Sequence, residues 1–228
     1  PCSCLRPAKM QKPLYWTRQS GRILFASEIK ALIADPMVPR AIDEGSVFHY
    51  LSFLTAPAPK TLFAGINKLA GGTLLRIRED GTVEERRWWD ALGAVQPLTG
   101  QSDEQIAERL IDELRSAVIL RKISDVPVGV FLSGGIDSST NAALFSEDGG
   151  NVKTFAIGYA GEYRSYVNEL DYARQVADRM KSEHYERQLT ESDLLDFLPR
   201  MVALQDEPIA DPVCVPVYYV SKLARDHG

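Results

Sequence analysis

The second half of the chain changes its hydrophobic period from one segment to the next. From Ser102 onward, apolar residues recur at steps of three and four, which predicts a long helix that packs on a sheet. Ser102 and Gln105 stand in the positions of a capping box, so we expect the helix to begin there. The following run, residues 126–132, is nearly all apolar, as is typical of a strand covered on both faces in a parallel sheet.

Helical and strand patterns alternate after this run. They predict helices over 137–145, 170–180, 194–204 and 217–224 and strands over 154–157 and 184–189. The order βαβαβαα is typical of the α/β class, so we predict a doubly wound, mostly parallel sheet with flanking helices.

The first hundred residues predict shorter helices and strands. The pattern predicts strands on either side of Gly21, a short helix over 27–33 capped by Ser27, and a helix over 43–54. Residues 60–72 are predicted to be mostly loop. Asp80-Gly81 predicts a β-hairpin between 73–78 and 83–89, because this pair readily supplies the positive φ angles of a tight turn.

Composition and charge narrow the function classes. The 228 residues are 45% hydrophobic and 25% charged, with a formal net charge of -5 and no polybasic run, so nucleic acid is not an expected partner. No apolar stretch approaches the ~20 residues of a membrane span, and no targeting pattern stands at the N-terminus. Cys2, Cys4 and Cys214 form neither a disulfide framework nor a metal-ligand pattern. We therefore expect a cytoplasmic protein without a membrane partner.

The segment between the run 126–132 and the next predicted helix carries the candidate chemistry. Two glycines at a strand end let backbone N–H groups approach an anion, and the helix N-terminus adds its positive dipole. A carboxylate beside phosphates requires a divalent cation between them, so Asp137 predicts a metal-bound polyphosphate as ligand. Neither a Walker loop nor a dinucleotide fingerprint fits. The candidate residues are Ser133, Gly134, Gly135, Asp137, Ser138 and Ser139.

This segment resembles the Ser-Gly-Gly-x-Asp-Ser pyrophosphate loop of the ATP pyrophosphatase superfamily. Five further segments narrow the resemblance to glutamine-hydrolysing asparagine synthetases and their close amidotransferase relatives. They are 12–16 (KPLYW), 24–32 (LFASEIKAL), 60–66 (KTLFAGI), 125–132 (DVPVGVFL) and 206–208 (DEP). The resemblance covers nearly the whole chain from Lys12 onward.

The resemblance implies a fold, a reaction and site residues. The fold is similar to that of adenine nucleotide alpha hydrolases. ATP and Mg²⁺ activate the aspartate side-chain carboxylate as an acyl-adenylate with release of pyrophosphate, and glutamine-derived ammonia then gives asparagine. By the same resemblance, Leu132 and Ile157 line the adenine and ribose pocket. The loop residues Ser133, Gly134, Gly135, Asp137 and Ser138 hold the pyrophosphate, with Asp137 as the metal ligand.

The resemblance also implies an organisation in three parts. Residues 1–35 correspond to the end of a glutaminase α+β domain, 36–100 to connecting helices and a hairpin, and 101–228 to the N-terminal part of the synthetase domain. The first ten residues depart from the family pattern, and Cys2 lacks the context of the glutaminase nucleophile. In the family an acidic loop that completes the site follows the segment that ends here at Gly228. We therefore expect a fragment truncated at both ends that is inactive alone.

Two questions stay open at this stage. Asp206 and Glu207 are the acidic candidates for catalysis within the chain, and a solvated acidic pair is the alternative. For the function, the alternatives are a pathway-specific amidotransferase of the same family that acts on another carboxylate, and an inactive truncated ATP-binding module.

Overall fold

The computed structural model describes residues 12–93, 95–161 and 168–228, together with the backbone of Cys2–Leu5. Two compact units form within these residues. The first comprises residues up to Pro97 together with Val202–Asp211, and the second comprises Leu98–Met201 and Pro212–Gly228. The division at residues 35 and 100 remains a proposal, and residues 36–97 pack with the leading residues in one unit.

The first unit contains two antiparallel sheets. Its strands are β1 (Cys2–Leu5), β2 (Tyr15–Gln19), β3 (Arg22–Ala26), β4 (Ile66–Lys68), β5 (Thr73–Ile77) and β6 (Val83–Arg87), and its helices are α1 (Ile29–Ile33) and α2 (Glu44–Phe53). The sheets have the orders β1-β5-β6 and β3-β2-β4. The strands around Gly21, the helix after Asp43 and the hairpin at Asp80-Gly81 are confirmed, with Gly81 at φ +80°. β4 lies within the stretch that was expected to be loop.

The N-terminal end of the chain is part of the first unit. β1 pairs antiparallel with β5, from Cys2 opposite Ile77 to Leu5 opposite Leu74. Residues 6–10, which complete the segment that departs from the family pattern, lie outside the described residues.

The N-terminus of α1 is capped by a distant residue. Ile29 N–H and Lys30 N–H donate to the two carboxylate oxygens of Asp206 at 2.6 and 3.2 Å. The predicted cap by Ser27 is wrong, since Glu28 holds the N-cap position and no side chain next to the helix makes the capping bond. A carboxylate suits this place because it meets unsatisfied N–H groups and the positive end of the helix dipole.

The neighbouring Glu207 is held in the same unit. Its carboxylate accepts a hydrogen bond from Leu62 N–H and forms an ion pair with Lys68 Nζ at 2.7 Å. The side chains of Asp206 and Glu207 are only 12% and 10% exposed. The alternative hypothesis, that Asp206 and Glu207 are a solvated acidic pair, is therefore wrong. The two carboxylates bind the segment Val202–Asp211 to the rest of the first unit.

The second unit is a mixed α/β structure with a parallel sheet. Its helices are α3 (Asp103–Lys122), α4 (Ile136–Ser146), α5 (Leu170–Met180), α6 (Glu191–Leu204), whose last three residues belong to the first unit, and α7 (Cys214–Asp226). Its strands are β7 (Val130–Phe131), β8 (Lys153–Tyr159) and β9 (Glu183–Leu189). The sheet order is β7-β8-β9, with both pairs parallel. This order follows the chain in one direction, so the described residues do not confirm the reversal that a doubly wound sheet requires.

The first strand of this sheet is shorter and more exposed than predicted. The strand β7 comprises only Val130 and Phe131, and Phe131 is 48% exposed at the sheet edge. The expectation of a strand over 126–132 covered on both faces is wrong. Pro127 interrupts the run, and proline has no N–H to donate to a ladder.

The core beside the sheet is built on small residues. Leu132, Ala142, Ala156, Leu170, Ala173 and Ala177 form one buried cluster. Since α5 contributes two alanines to it, the helix backbone comes close to the ends of β7 and β8. This closeness sets the position of the loop after β7.

The long helix α3 begins as predicted but packs differently. Gln105 N–H donates to Ser102 Oγ and Ser102 N–H donates to Gln105 Oε1, at 3.4 and 3.0 Å, so the capping box is confirmed. The helix lies against α4, and Leu110 and Leu120 are 58% and 64% exposed. The expectation that the apolar face of α3 packs on a sheet is therefore wrong for Leu110 and Leu120.

A second cluster positions α7. Leu189, Phe197, Val215 and Tyr219 pack together, and the Tyr219 hydroxyl donates to the carbonyl oxygen of Asp193 at 2.9 Å. This cluster fixes α7 beside the ends of β8 and β9. Among the described residues, no helix combines the length and apolar character that crossing a membrane requires.

The distant cap of α1 gives a prediction about stability. Asp206→Ala removes both capping bonds, so we expect the free energy of unfolding of the first unit to fall by about 1–2 kcal/mol. All three tryptophans, Trp16, Trp88 and Trp89, lie in this unit, so urea unfolding followed by tryptophan fluorescence reports on it.

Glu79→Ala is the matched control, because Glu79 is an exposed acid in the hairpin turn of the same unit. We expect it to change the free energy of unfolding by less than about 0.5 kcal/mol. Equal effects of the two substitutions would show that Asp206 does not cap α1.

Candidate functional site

The candidate loop begins at the carboxyl end of β7. Leu132 N–H donates to the carbonyl oxygen of Phe155 at 2.8 Å, which continues the pairing with β8, and the Leu132 side chain is only 2% exposed. The chain then leaves the sheet through Ser133, Gly134 and Gly135 and enters α4 at Ile136. The predicted order of strand, glycine loop and helix is confirmed.

Gly134 lies directly on the first turn of α5. Its φ is +79°, and a Cβ at this position would lie 2.4 Å from Tyr172 Cβ and 2.7 Å from Ala173 N. Any side chain here would collide with backbone as well as strain the left-handed conformation. Gly135 is different, since its φ is -70° and a Cβ would meet only Ser133 Oγ at 3.4 Å.

Two serine hydroxyls hold the loop in shape. Ser133 Oγ accepts from Gly135 N–H at 3.3 Å, and Ser138 Oγ donates to Gly135 O at 3.2 Å. The two hydroxyl oxygens are 2.9 Å apart, and either can donate to the other. Both hydroxyl groups are thus engaged within the loop, which leaves backbone N–H groups as the main outward donors.

Those backbone donors are at the N-terminus of α4. Ser139 N–H is bonded to Gly135 O at 3.0 Å, whereas the N–H groups of Ile136, Asp137 and Ser138 have no acceptor among the described residues. Three unsatisfied donors and the helix dipole make this end of α4 attractive to an anion.

Asp137, the predicted metal ligand, lies next to these N–H groups. The residue is exposed in the first turn of α4, and its carboxylate has no hydrogen bond or ion pair among the described residues. The same residues contain no group of three or more His, Cys, Asp or Glu side chains able to hold a metal ion. The arrangement fits magnesium held mainly by phosphate oxygens and water, with a single carboxylate from the protein.

A cavity of about 460 Å³ opens beside the loop. It brings together four of the predicted site residues, Leu132, Ser133, Ser138 and Ile157. The other residues that line it are Phe131, Phe155, Ala156, Tyr159, Glu169, Val213, Pro216, Val217 and Val220. Its volume lies within the range of small-molecule sites. Gly134, Gly135 and Asp137 belong to the loop at its edge but are not among its lining residues.

Ser139 is the predicted site residue that the structure places elsewhere. It lines a different cavity between α4 and α5, together with Thr140, Ala143 and Gln175. Its hydroxyl oxygen is buried and makes no hydrogen bond within the described residues. The residues also predicted as catalytic candidates, Asp206 and Glu207, belong to the first unit and are engaged there by backbone N–H groups and Lys68.

Several lining residues were not predicted from the sequence. Val213, Pro216, Val217 and Val220 come from α7 and the residue before it, where an apolar helical pattern gives no sign of a ligand. Tyr159 ends β8, and burial raises the pKa of its hydroxyl, so it stays neutral at pH 7. Glu169 could have been found by its place between a strand and a helix on the sheet edge that carries the loop.

Comparison with known proteins relates the chain to two protein families. The family model for asparagine synthase matches residues 109–228, which is just over half of the chain, and that for a glutamine amidotransferase domain matches residues 6–89. Similar curated proteins include glutamine-hydrolyzing asparagine synthetase 1 of Bacillus subtilis, at 34% identity over 95% of this chain and 33% of the relative.

Two putative glutamine-hydrolyzing asparagine synthetases are also similar. That of Mycobacterium tuberculosis is 32% identical over 98% of this chain and 34% of its own length. Putative asparagine synthetase 2 of Methanocaldococcus jannaschii is 30% identical over 97% of this chain and 43% of its own length. The chain therefore spans between a third and less than half of the length of these relatives.

The two glycines of the loop give a paired prediction. Gly134→Ala places a Cβ against the backbone of α5 at a positive φ, so we expect it to lower the free energy of unfolding of the second unit by about 2–4 kcal/mol. Gly135→Ala is the control, and we expect a change below about 1 kcal/mol. Urea unfolding followed by far-UV circular dichroism measures both, since the second unit has no tryptophan. A larger loss for Gly135→Ala than for Gly134→Ala would contradict the loop geometry.

Proposed function

The chain belongs to the asparagine synthase family, and on that premise we propose that its second unit binds Mg-ATP and forms the pyrophosphate side of an adenylating site. The proposed acceptor is the aspartate side-chain carboxylate, and the proposed nitrogen source is ammonia released from glutamine. The names of the similar curated proteins, glutamine-hydrolyzing asparagine synthetases, support both choices.

One observation carries the nucleotide proposal: the unsatisfied N–H groups of Ile136, Asp137 and Ser138 lie beside an apolar cavity of about 460 Å³. The N–H groups suit phosphate oxygens. The apolar walls suit a purine base, and they include Phe131, Val213 and Val217, each 48% exposed. A ligand with an anionic end and a flat apolar end matches both features.

The loop's role in the proposed reaction follows from its position at the pyrophosphate, which is the leaving group. In the proposed first step, a carboxylate oxygen of aspartate attacks the α-phosphorus of ATP, the bond from that phosphorus to the bridging oxygen breaks, and pyrophosphate leaves. Negative charge builds on the leaving group, and the N–H groups and dipole of α4 stabilise charge at that point. Magnesium, when bound, offsets further phosphate charge, and Asp137 would be its protein ligand.

The second step makes the amide. Ammonia attacks the acyl carbon of the aspartyl adenylate, the bond to the phosphate oxygen breaks, AMP leaves, and loss of a proton gives asparagine. The match of residues 6–89 to a glutamine amidotransferase domain supports glutamine as the source of this ammonia.

Calorimetric titration with Mg-ATP tests the nucleotide site. We expect Asp137→Ala to weaken Mg-ATP binding about 10-fold or more, because it removes the carboxylate that would contact the metal. Asp148→Ala is the control, since Asp148 follows the opposite end of α4 and pairs with Lys122. We expect it to leave the affinity unchanged. Equal Mg-ATP affinity of Asp137→Ala and the unchanged protein would remove Asp137 from the site, and absence of Mg-ATP binding would refute the proposed function.

The acceptor is tested by exchange of labelled pyrophosphate into ATP, measured with this chain and with the complete gene product. Exchange that depends on aspartate and not on succinate supports the proposed acceptor. Exchange promoted by another carboxylic acid and not by aspartate would instead favour a pathway-specific amidotransferase.

A further inference from the structure

Glu169 differs in charge from the other residues that line the cavity. Among the described residues that line the cavity, it alone carries a charge. It stands in the N-cap position of α5, and the same helix supports Gly134 of the loop. A carboxylate therefore stands at the side of a site that we propose for a polyphosphate.

The backbone around Glu169 is held by hydrogen bonds, while its carboxylate is unengaged among the described residues. Ala173 N–H donates to the Glu169 carbonyl oxygen at 3.0 Å. Leu170 N–H donates to Asn168 Oδ1 at 3.3 Å, and Leu170 itself is 1% exposed. Because Asn168 supplies the capping oxygen, the Glu169 carboxylate is not needed by the helix. It has no hydrogen bond or ion pair among the described residues.

The chemistry of the cavity limits which part of a bound nucleotide this carboxylate can contact. Phosphate oxygens would repel it unless a cation stands between them, and we propose that place for Asp137. The apolar residues Phe131, Val213 and Val217 offer it no donor. In a nucleoside triphosphate, the group between the base and the phosphates is the ribose, which has two vicinal hydroxyls. A carboxylate accepts two hydrogen bonds from such a pair with its two oxygens.

We infer that Glu169 accepts hydrogen bonds from the ribose hydroxyls and so selects ribonucleotides over deoxyribonucleotides. The inference rests on the proposed binding of Mg-ATP in this cavity. A hydrogen bond to a charged group contributes enough to change an affinity about 10- to 100-fold. Glu169 is thus a specificity-determining residue of the nucleotide site.

The test is a set of affinities arranged as a thermodynamic cycle. Calorimetry measures Mg-ATP, Mg-2′-deoxy-ATP and Mg-3′-deoxy-ATP with the unchanged chain, with Glu169→Ala and with Asp178→Asn. We expect the unchanged chain to bind Mg-ATP about 10- to 100-fold more tightly than at least one deoxy analogue. We expect Glu169→Ala to reduce this preference to less than about threefold, because it weakens Mg-ATP more than either deoxy analogue, each of which keeps only one of the two hydroxyls.

Asp178→Asn is the matched control, because Asp178 is an exposed acid near the other end of the same helix. It should keep the full ribose preference. Thermal unfolding of each variant by circular dichroism shows whether a weakened affinity reflects a loss of fold, and Glu169→Gln provides a second variant of nearly the same size.

The outcomes separate this inference from the proposed function. If the unchanged chain binds Mg-ATP without preferring the ribose hydroxyls, the inference is wrong and the nucleotide site stands. If Glu169→Ala weakens all three nucleotides equally, the carboxylate acts on another part of the ligand and the inference is again wrong. If the unchanged chain binds no Mg-ATP at all, the proposed function fails and the inference fails with it.

Discussion

The candidate site depends on the close contact between the loop after β7 and the first turn of α5. This contact requires that residue 134 have no side chain, because a Cβ there would lie 2.4 Å from Tyr172 Cβ. The small residues Ala173 and Ala177 bring α5 to the sheet, and Gly134 then rests on the helix. Through this contact one helix positions the loop, the entry into α4 and the carboxylate of Glu169.

Local signals were enough to predict much of this arrangement. The capping box of Ser102 and Gln105, the helix over 170–180 and the glycine loop before α4 all depend on residues close in sequence. Local signals failed where a distant residue decides the structure. The cap of α1 comes from Asp206, 177 positions from Ile29, and so Ser27 was the wrong choice. Likewise, Val213 and Val217 line the cavity only because α7 packs beside β8 and β9.

The polar groups of the loop have different hydrogen-bond roles, and the sequence does not reveal which group has which role. Ser133 and Ser138 appear alike as phosphate donors in the motif, yet their hydroxyls bond to each other and to Gly135. Among the described residues, the N–H groups of Ile136, Asp137 and Ser138 in α4 are left to bind an anion. A preorganised set of backbone donors needs little rearrangement when a ligand arrives, which favours stabilisation of a charged leaving group.

The central claim is that these three N–H groups receive the phosphates. Titration of the ¹⁵N-labelled protein with magnesium pyrophosphate, followed by amide chemical shifts, tests it most directly. The account predicts that the amide signals of Ile136, Asp137 and Ser138 shift most and saturate together, while those at the far end of α4 stay in place. Saturable shifts that leave these three amides unchanged would contradict it.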